Sequence, residues 1–473
     1  MRVVKNILKV VSSNLTGILA GVIVGFLLPK IISVSDYGYY KTFTLYYNYL
    51  GVLSLGIIDG IVLKNGEKDY EDLSREKMRS YFSWYLIIHV VMTAVILAVA
   101  FLFEGFDFKF LVLLLALNLI PANGCGYFQQ ISQITQRFKE YSVRKILHSI
   151  ANIILVLMLV LVYKIGQTNV SYVPYLLGLF AINLVLFLWY VVTYRDIIFG
   201  KRDSLKNTAN EVFRLAIHGF PLLLANLCST LLLSLDRQFV SILFTTEEYA
   251  TYAFAYSILS LITVATSAVS LVIYPLFKRM DQKVIRANCS NLNAILLVCM
   301  FLTMFVYFPL VYFINWFLPQ YVYSLSIFRI ILPGLVISAS ITVVFHNYYK
   351  ILGKSTDFFI KSVVALIISF SFNLGAYLIF HSREAISIAS IISLLIWYLY
   401  TQQGLRKVCT ISYKDTLYIL IMCTVFYLST LDFAAWLGGI IYAIGFIAVS
   451  ALIYYGNLKE IKSLLRPNKK VEQ

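Results

Sequence analysis

"DYGYYKTFTLYYNYLGVLSLGIIDGIVLKNG", residues Asp36 to Gly66, is apolar enough to cross a bilayer, yet it carries Lys41 near its start and Asp59 near its end. Read as one continuous helix turning about 100° per residue, it puts Lys41, Asn48 and Asp59 within about 20° of one another. A charge at the bilayer centre costs roughly 2.5–3.5 kcal/mol on insertion scales, so such a stripe belongs against protein or water. The stretch reads as a membrane helix with one face turned to a polar interior.

The rest of the chain is built in the same way. Of its 473 residues, 60% are hydrophobic and only 13% charged, and the mean hydropathy is +0.81. Soluble domains are about a quarter charged. Apolar runs of about 20 residues recur from end to end, each able to span a ~30 Å hydrocarbon core. About fourteen spans result, the second at 38–63, the seventh at 215–244 and the thirteenth at 414–432. The basic n-region and apolar run at the start lead into the second span without a clear cleavage site, so they read as a retained first helix.

The net charge of +16 does not point to nucleic acid, because the basic residues lie in small groups between apolar runs. With the N-terminus inside, 32 of the 39 basic residues fall in or beside inner segments. Only Lys30, Lys109, Lys164 and Arg383 lie outside, and Lys41, Arg237 and Arg329 lie within spans. This alternation places both termini in the cytoplasm, with residues 458–473 as a basic tail against anionic lipid. The six cysteines show neither CxxC nor metal-ligand spacing, so no disulfide, metal or cofactor is expected.

The opening stretch has a second copy 212 residues on. Asn14 falls on Asn226, "DYGYY" on "EYATY", Asn48 on Ser260, and Pro121 on Pro333. Six spans separate the copies, so both enter the membrane in the same sense, as in transporters built from parallel repeats. The expected organisation is an N-lobe at 1–194, a cytoplasmic linker at 195–214, a C-lobe at 215–405, two further spans at 406–457 and the tail. The fold class is an all-α polytopic membrane protein with two six-helix lobes.

"LPKIISVSDYGYYKTF", "LGIIDGIVLKNG" and "LDRQFVSILFTTEEYATYAFA" resemble the polysaccharide flippases of the multidrug/oligosaccharidyl-lipid/polysaccharide exporter superfamily. The resemblance implies a V-shaped transporter in the cell's inner membrane, its central cavity lined by spans 1, 2, 7 and 8. It implies export of a polyprenyl-pyrophosphate-linked oligosaccharide by alternating access, with membrane lipids around it. It leaves other polysaccharide-assembly membrane proteins open as partners. The superfamily's multidrug branch places an acid in span 1, where this chain has Asn14. A multidrug antiporter is the transport alternative and a membrane-embedded polymerase the enzymatic one. No HExxH, GxSxG or Walker A loop marks a catalytic site, and a transporter rather than an enzyme is expected.

The candidate residues follow from depth and helical face. On the seventh span, read as one helix, Asn226 and Arg237 share a face, and the fork of Arg237 suits phosphate oxygens. Lys41 is either a cavity cation or an outer-interface lysine, and Arg329 a cavity cation or half of a structural pair. Asn14, Asn48 and Asn226 are cavity candidates. Asp59 and Asp236 are candidates for gating or coupling. His89, His148, His218 and His346 are either neutral and bonded to a neighbouring helix or part of a pH-sensitive entrance. Pro121 and Pro333 are hinge candidates. Tyr37, Tyr39, Tyr40, Tyr46, Tyr47 and Tyr49 read as an interfacial belt, with stacking on sugar rings as the alternative.

Overall fold

The computed structural model describes residues 2–464 except 67, 167–168, 279–281 and 432, with side chains for 12–454 except those positions, 261 and 264–285. The described residues are helical throughout, with no strand. The chain forms two compact units, Met1–Leu231 with Ser241–Ala253, and Leu232–Val240 with Phe254–Gln473.

The first unit contains α1 (Arg2–Ile31), α2 (Val34–Tyr47), α3 (Ile57–Asn65), α4 (Arg75–Ala100), α5 (Phe106–Ile134), α6 (Phe138–Gly166), α7 (Tyr172–Thr193) and α8 (Leu205–Leu232). After α9 (Leu235–Leu243) and α10 (Thr246–Lys278), the second unit continues through α11 (Gln282–Thr303), α12 (Tyr307–Phe317), α13 (Ser324–Ala339) and α14 (His346–Ile351). It ends with α15 (Ser355–Phe380), α16 (Arg383–Arg406), α17 (Lys414–Ser429) and α18 (Ala435–Leu464). Among the described residues, eleven helical spans are long and apolar enough to cross a membrane. α2 and α3 together make a twelfth, bent by 58°. α17, the expected thirteenth span, has 16 residues. The expected tail begins as the last two turns of α18, and residues 465–473 lie outside the described part.

Two expected helices are broken. The second span stops at Tyr47, passes through a short 3₁₀ turn at Leu50–Ser54, and restarts at Ile57. Leu55 and Gly56 between them are left-handed, with φ of +53° and +78°. A left-handed residue ends a helix, and glycine reaches that conformation without a Cβ penalty. The Lys41–Asn48–Asp59 stripe therefore does not run along one helix, because Asp59 lies beyond the bend. The seventh span breaks at Leu233–Ser234, between α8 and α9. That break also ends the helix on which Asn226 and Arg237 were aligned.

The prolines behave differently. α5 runs through Pro121 without interruption. α13 runs through Pro333 and then widens into a π-helical turn at Ser340–Phe345, a common irregularity at functional positions.

Of the α2 tyrosines, Tyr37 is buried, Tyr39, Tyr40 and Tyr47 are half-buried and Tyr46 is exposed. Tyr37 is 1% exposed and meets Tyr40, which packs edge-on against Tyr175 of α7. Tyr39 meets Tyr172, and the Tyr47 hydroxyl accepts a hydrogen bond from Asn183. Aromatic edges and hydroxyls thus bind α2 to α7 inside the unit.

Candidate functional site

α3 and α8 cross at unusually close range, and the sequence shows why. Gly56-Ile57-Ile58-Asp59-Gly60 is a small-xxx-small pattern that puts two glycines on one face. Gly219 of α8 sits against it. A Cβ at Gly60 would overlap the Leu215 carbonyl oxygen, and one at Gly219 would overlap the Gly56 carbonyl oxygen. At Gly56 it would lie 2.6 Å from the Phe220 nitrogen. Only hydrogen fits at these three positions. The motif was legible in the sequence through its spacing, but its partner on α8 was not.

Beside this seam the broken span opens a cavity of about 260 Å³. The bend contributes Asn48, Tyr49 and Ser54, and Asp59 comes from the first turn of α3. Tyr85 comes from α4, Asn123, Tyr127 and Gln130 from α5, and Asn226 and Thr230 from α8. Three candidates drawn from the sequence, Asn48, Asp59 and Asn226, therefore line one cavity. Tyr85, Asn123 and Gln130 were not anticipated, because nothing in the sequence distinguishes them from other polar residues in spans. The wall holds amides, hydroxyls, tyrosine rings and one carboxylate, with no cation among the lining residues.

Buried contacts orient the wall. His89 is 1% exposed; its Nδ1 lies 2.8 Å from the Tyr85 carbonyl and its Nε2 lies 2.9 Å from Asn123 Nδ2. Asn123 also donates to the Leu50 carbonyl at 2.8 Å. His89 thus positions a cavity amide from behind, and that amide pins the 3₁₀ turn to α5. His148 is half-buried on α6. His218 is exposed and bonded to the Arg214 carbonyl, while His346 stacks on Phe358.

The other candidates lie outside this wall. Lys41 sits over the rings of Tyr37 and Tyr40, 5.1 and 4.9 Å from their centroids. Asn14 is buried and accepts a hydrogen bond of 2.6 Å from Lys145 of α6. In the second unit, Arg237 donates to the Leu233 carbonyl and lies over the Tyr256 ring, whose hydroxyl donates to buried Asp236. Arg329 donates to the Thr430 carbonyl at the C-terminal cap of α17, where a cation meets the negative end of the helix dipole.

An ionic cluster closes the end of the seam. Glu211 of α8 pairs with Lys64 of α3 and with Lys77 of α4, and accepts from Tyr81. Nearby, the Ser80 hydroxyl and the Trp84 indole donate to the carbonyls of Asp203 and Leu205. Tyr70 lies between the guanidinium groups of Arg75 and Arg137 and donates to Asp196 at 2.7 Å. Burial and the Asp196 carboxylate hold the Tyr70 hydroxyl well above its ordinary pKa.

With this geometry, comparison with known proteins gives the chain a family and a fold. It matches the family described as polysaccharide biosynthesis protein over residues 3–281, and it belongs to that family. No curated protein matches it. Its fold resembles the lipid II flippase MurJ in an inward closed conformation, with a TM-score of 0.65 at 17% identity over 96% of this chain and all of the other. It also resembles an inward-facing multidrug-resistance MATE transporter of the MOP superfamily, with a TM-score of 0.55 at 15% identity over 84% of this chain and 96% of that one. A variant of the Vibrio cholerae MATE transporter VcmN gives 0.53 at 16% identity, over 85% and 97%. The protein is a multi-pass membrane protein with the fold these transporters share.

Proposed function

We propose that the chain is a flippase that moves a polyprenyl-pyrophosphate-linked oligosaccharide from the cytoplasmic to the outer leaflet by alternating access. The observation that carries this reading is the cavity wall. Four side-chain amides, several hydroxyls, tyrosine rings and the Asp59 carboxylate suit a neutral ligand rich in hydroxyl groups. Such a wall hydrogen-bonds sugar hydroxyls without the cost of an unpaired buried cation.

In this reading the domains keep their expected limits, with residues 1–194 and 215–405 as the two lobes and α8 opening the second. The glycine seam is then an inner gate in its closed state. The cavity volume falls below the ~300–1,000 Å³ of typical ligand sites, so substrate entry requires α3 and α8 to part. The pyrophosphate needs cations beyond this wall, and Lys41 and Arg237 keep that role. Fourteen spans with both termini inside complete the reading. Reporter fusions after residues 70, 280 and 465 are expected to report cytoplasm, and fusions near 107 and 320 the exterior.

The deciding test is leaflet exchange of a fluorescent polyprenyl-pyrophosphate oligosaccharide in vesicles containing the purified chain, without ATP. Flipping that is lost in Asn48→Ala/Asn226→Ala supports the proposal. The MATE-like fold and a cavity carboxylate favour efflux as the second reading. Proton-driven export of cationic dyes, with no exchange of the lipid-linked sugar, would establish it.

A further inference from the structure

A second cavity, of about 460 Å³, lies wholly within the second unit between α15 and α16. Its floor is a helical stripe on α16, Ile396, Leu399, Tyr400, Gln403 and Arg406, faced by Val364 and Ile368 of α15. Ten residues separate Ile396 from Arg406, about 15 Å at 1.5 Å per residue. The trough grades from aliphatic to amide to guanidinium along that length. Val364 and Leu399 are 37% and 40% exposed, so in a membrane chain lipid covers them.

The polar end is held in place. Arg406 stacks on the Tyr413 ring at 3.2 Å and donates through Nε to the Ile411 carbonyl, also at 3.2 Å. These contacts fix the guanidinium plane. Among the described residues, its two Nη groups have no hydrogen-bond or ion-pair partner, and neither has the Gln403 amide. On α15, Asp357 is paired with Lys361 at 2.5 Å. Exposed Lys407 and Lys414 add positive charge at the same end.

We propose that this trough is a binding site for an anionic phospholipid. One acyl chain lies along Val364, Ile368, Ile396 and Leu399, and the headgroup phosphate sits on Arg406 and Gln403. A planar guanidinium with two free amino groups matches two phosphate oxygens, and the basic surroundings favour anionic over zwitterionic headgroups. The length suits an ordinary acyl chain ending at the interface rather than a much longer polyprenyl tail.

Native mass spectrometry of the full chain in detergent tests the proposal, with phosphatidylglycerol, phosphatidylcholine and undecaprenyl phosphate as probes. Phosphatidylglycerol is expected to bind several-fold better than phosphatidylcholine. Arg406→Gln should lower its binding several-fold, to the phosphatidylcholine level, and Arg406→Lys should lower it less. Val364→Trp and Leu399→Trp fill the apolar end from exposed positions and should reduce binding with Arg406 intact. Unchanged phosphatidylglycerol binding in Arg406→Gln and in the tryptophan variants overturns the proposal. So does displacement of phosphatidylglycerol by undecaprenyl phosphate whose own binding depends on Arg406.

Discussion

The two copies of the opening segment lie 212 residues apart and share a frame, but they fold differently. The first is bent by 58° between α2 and α3. The second, α10, is a continuous helix of 33 residues. The cause is local. Gly56 is left-handed in the first copy, and its counterpart is Ala268. Gly60, pressed against the Leu215 carbonyl, has Val272 as its counterpart. One copy thus builds a bend, a close crossing and a cavity, while the other runs on as one continuous helix. The charges diverge as well: Lys41 matches Ala253, Asp59 matches Leu271, and Arg237 matches Gly25.

Gly60→Val, which gives the first copy the second copy's residue, should have the largest effect. Its side chain would overlap the Leu215 carbonyl, and forced overpacking costs about 1–3 kcal/mol or more. Export by cells carrying this variant should fall about tenfold or more at normal protein levels. Wild-type export would show that the seam need not close.

Asn14 and Asn226 occupy equivalent positions and should fail in different ways. Asn14→Ala removes the shorter of two hydrogen bonds of the Lys145 ammonium and leaves it with Tyr141, at a cost of about 1 kcal/mol, and should lower the melting temperature. Asn226→Ala removes a cavity amide and should lower flipping several-fold with the melting temperature unchanged. The reverse pattern would exchange their roles.

Arg237 is a charge without a counterpart in the first copy. Arg237→Ala should reduce flipping more than Arg237→Lys, because lysine keeps the charge and loses only the fork. Equal activity for both variants would remove this residue from substrate handling.

The two smallest effects concern partly exposed charges and the continuous helix α10. Glu211→Gln removes ion pairs worth about 0–1 kcal/mol each, so export should change by less than about fivefold and become less sensitive to salt than in the unaltered chain. Ala268→Gly costs about 1 kcal/mol of helix stability and should leave flipping within about twofold. A strong loss there would mean that the second copy must also stay unbent.

Hydropathy and composition determined the class, because roughly 20 apolar residues have few other uses than crossing a bilayer. The flippase-like motifs pointed to the polysaccharide biosynthesis protein family that the chain matches. Three of the cavity residues, Asn48, Asp59 and Asn226, could be picked out because polar groups in spans are costly. Their convergence could not be reckoned on ideal helices, since two left-handed residues and one turn reset the faces on which the reckoning rested. Only the tertiary structure assigned Arg329 to a helix terminus and His89 to the back of Asn123. It alone also paired Gly56 and Gly60 with Gly219. Periodicity is a property of one helix, whereas a site depends on which helices meet and at what distance.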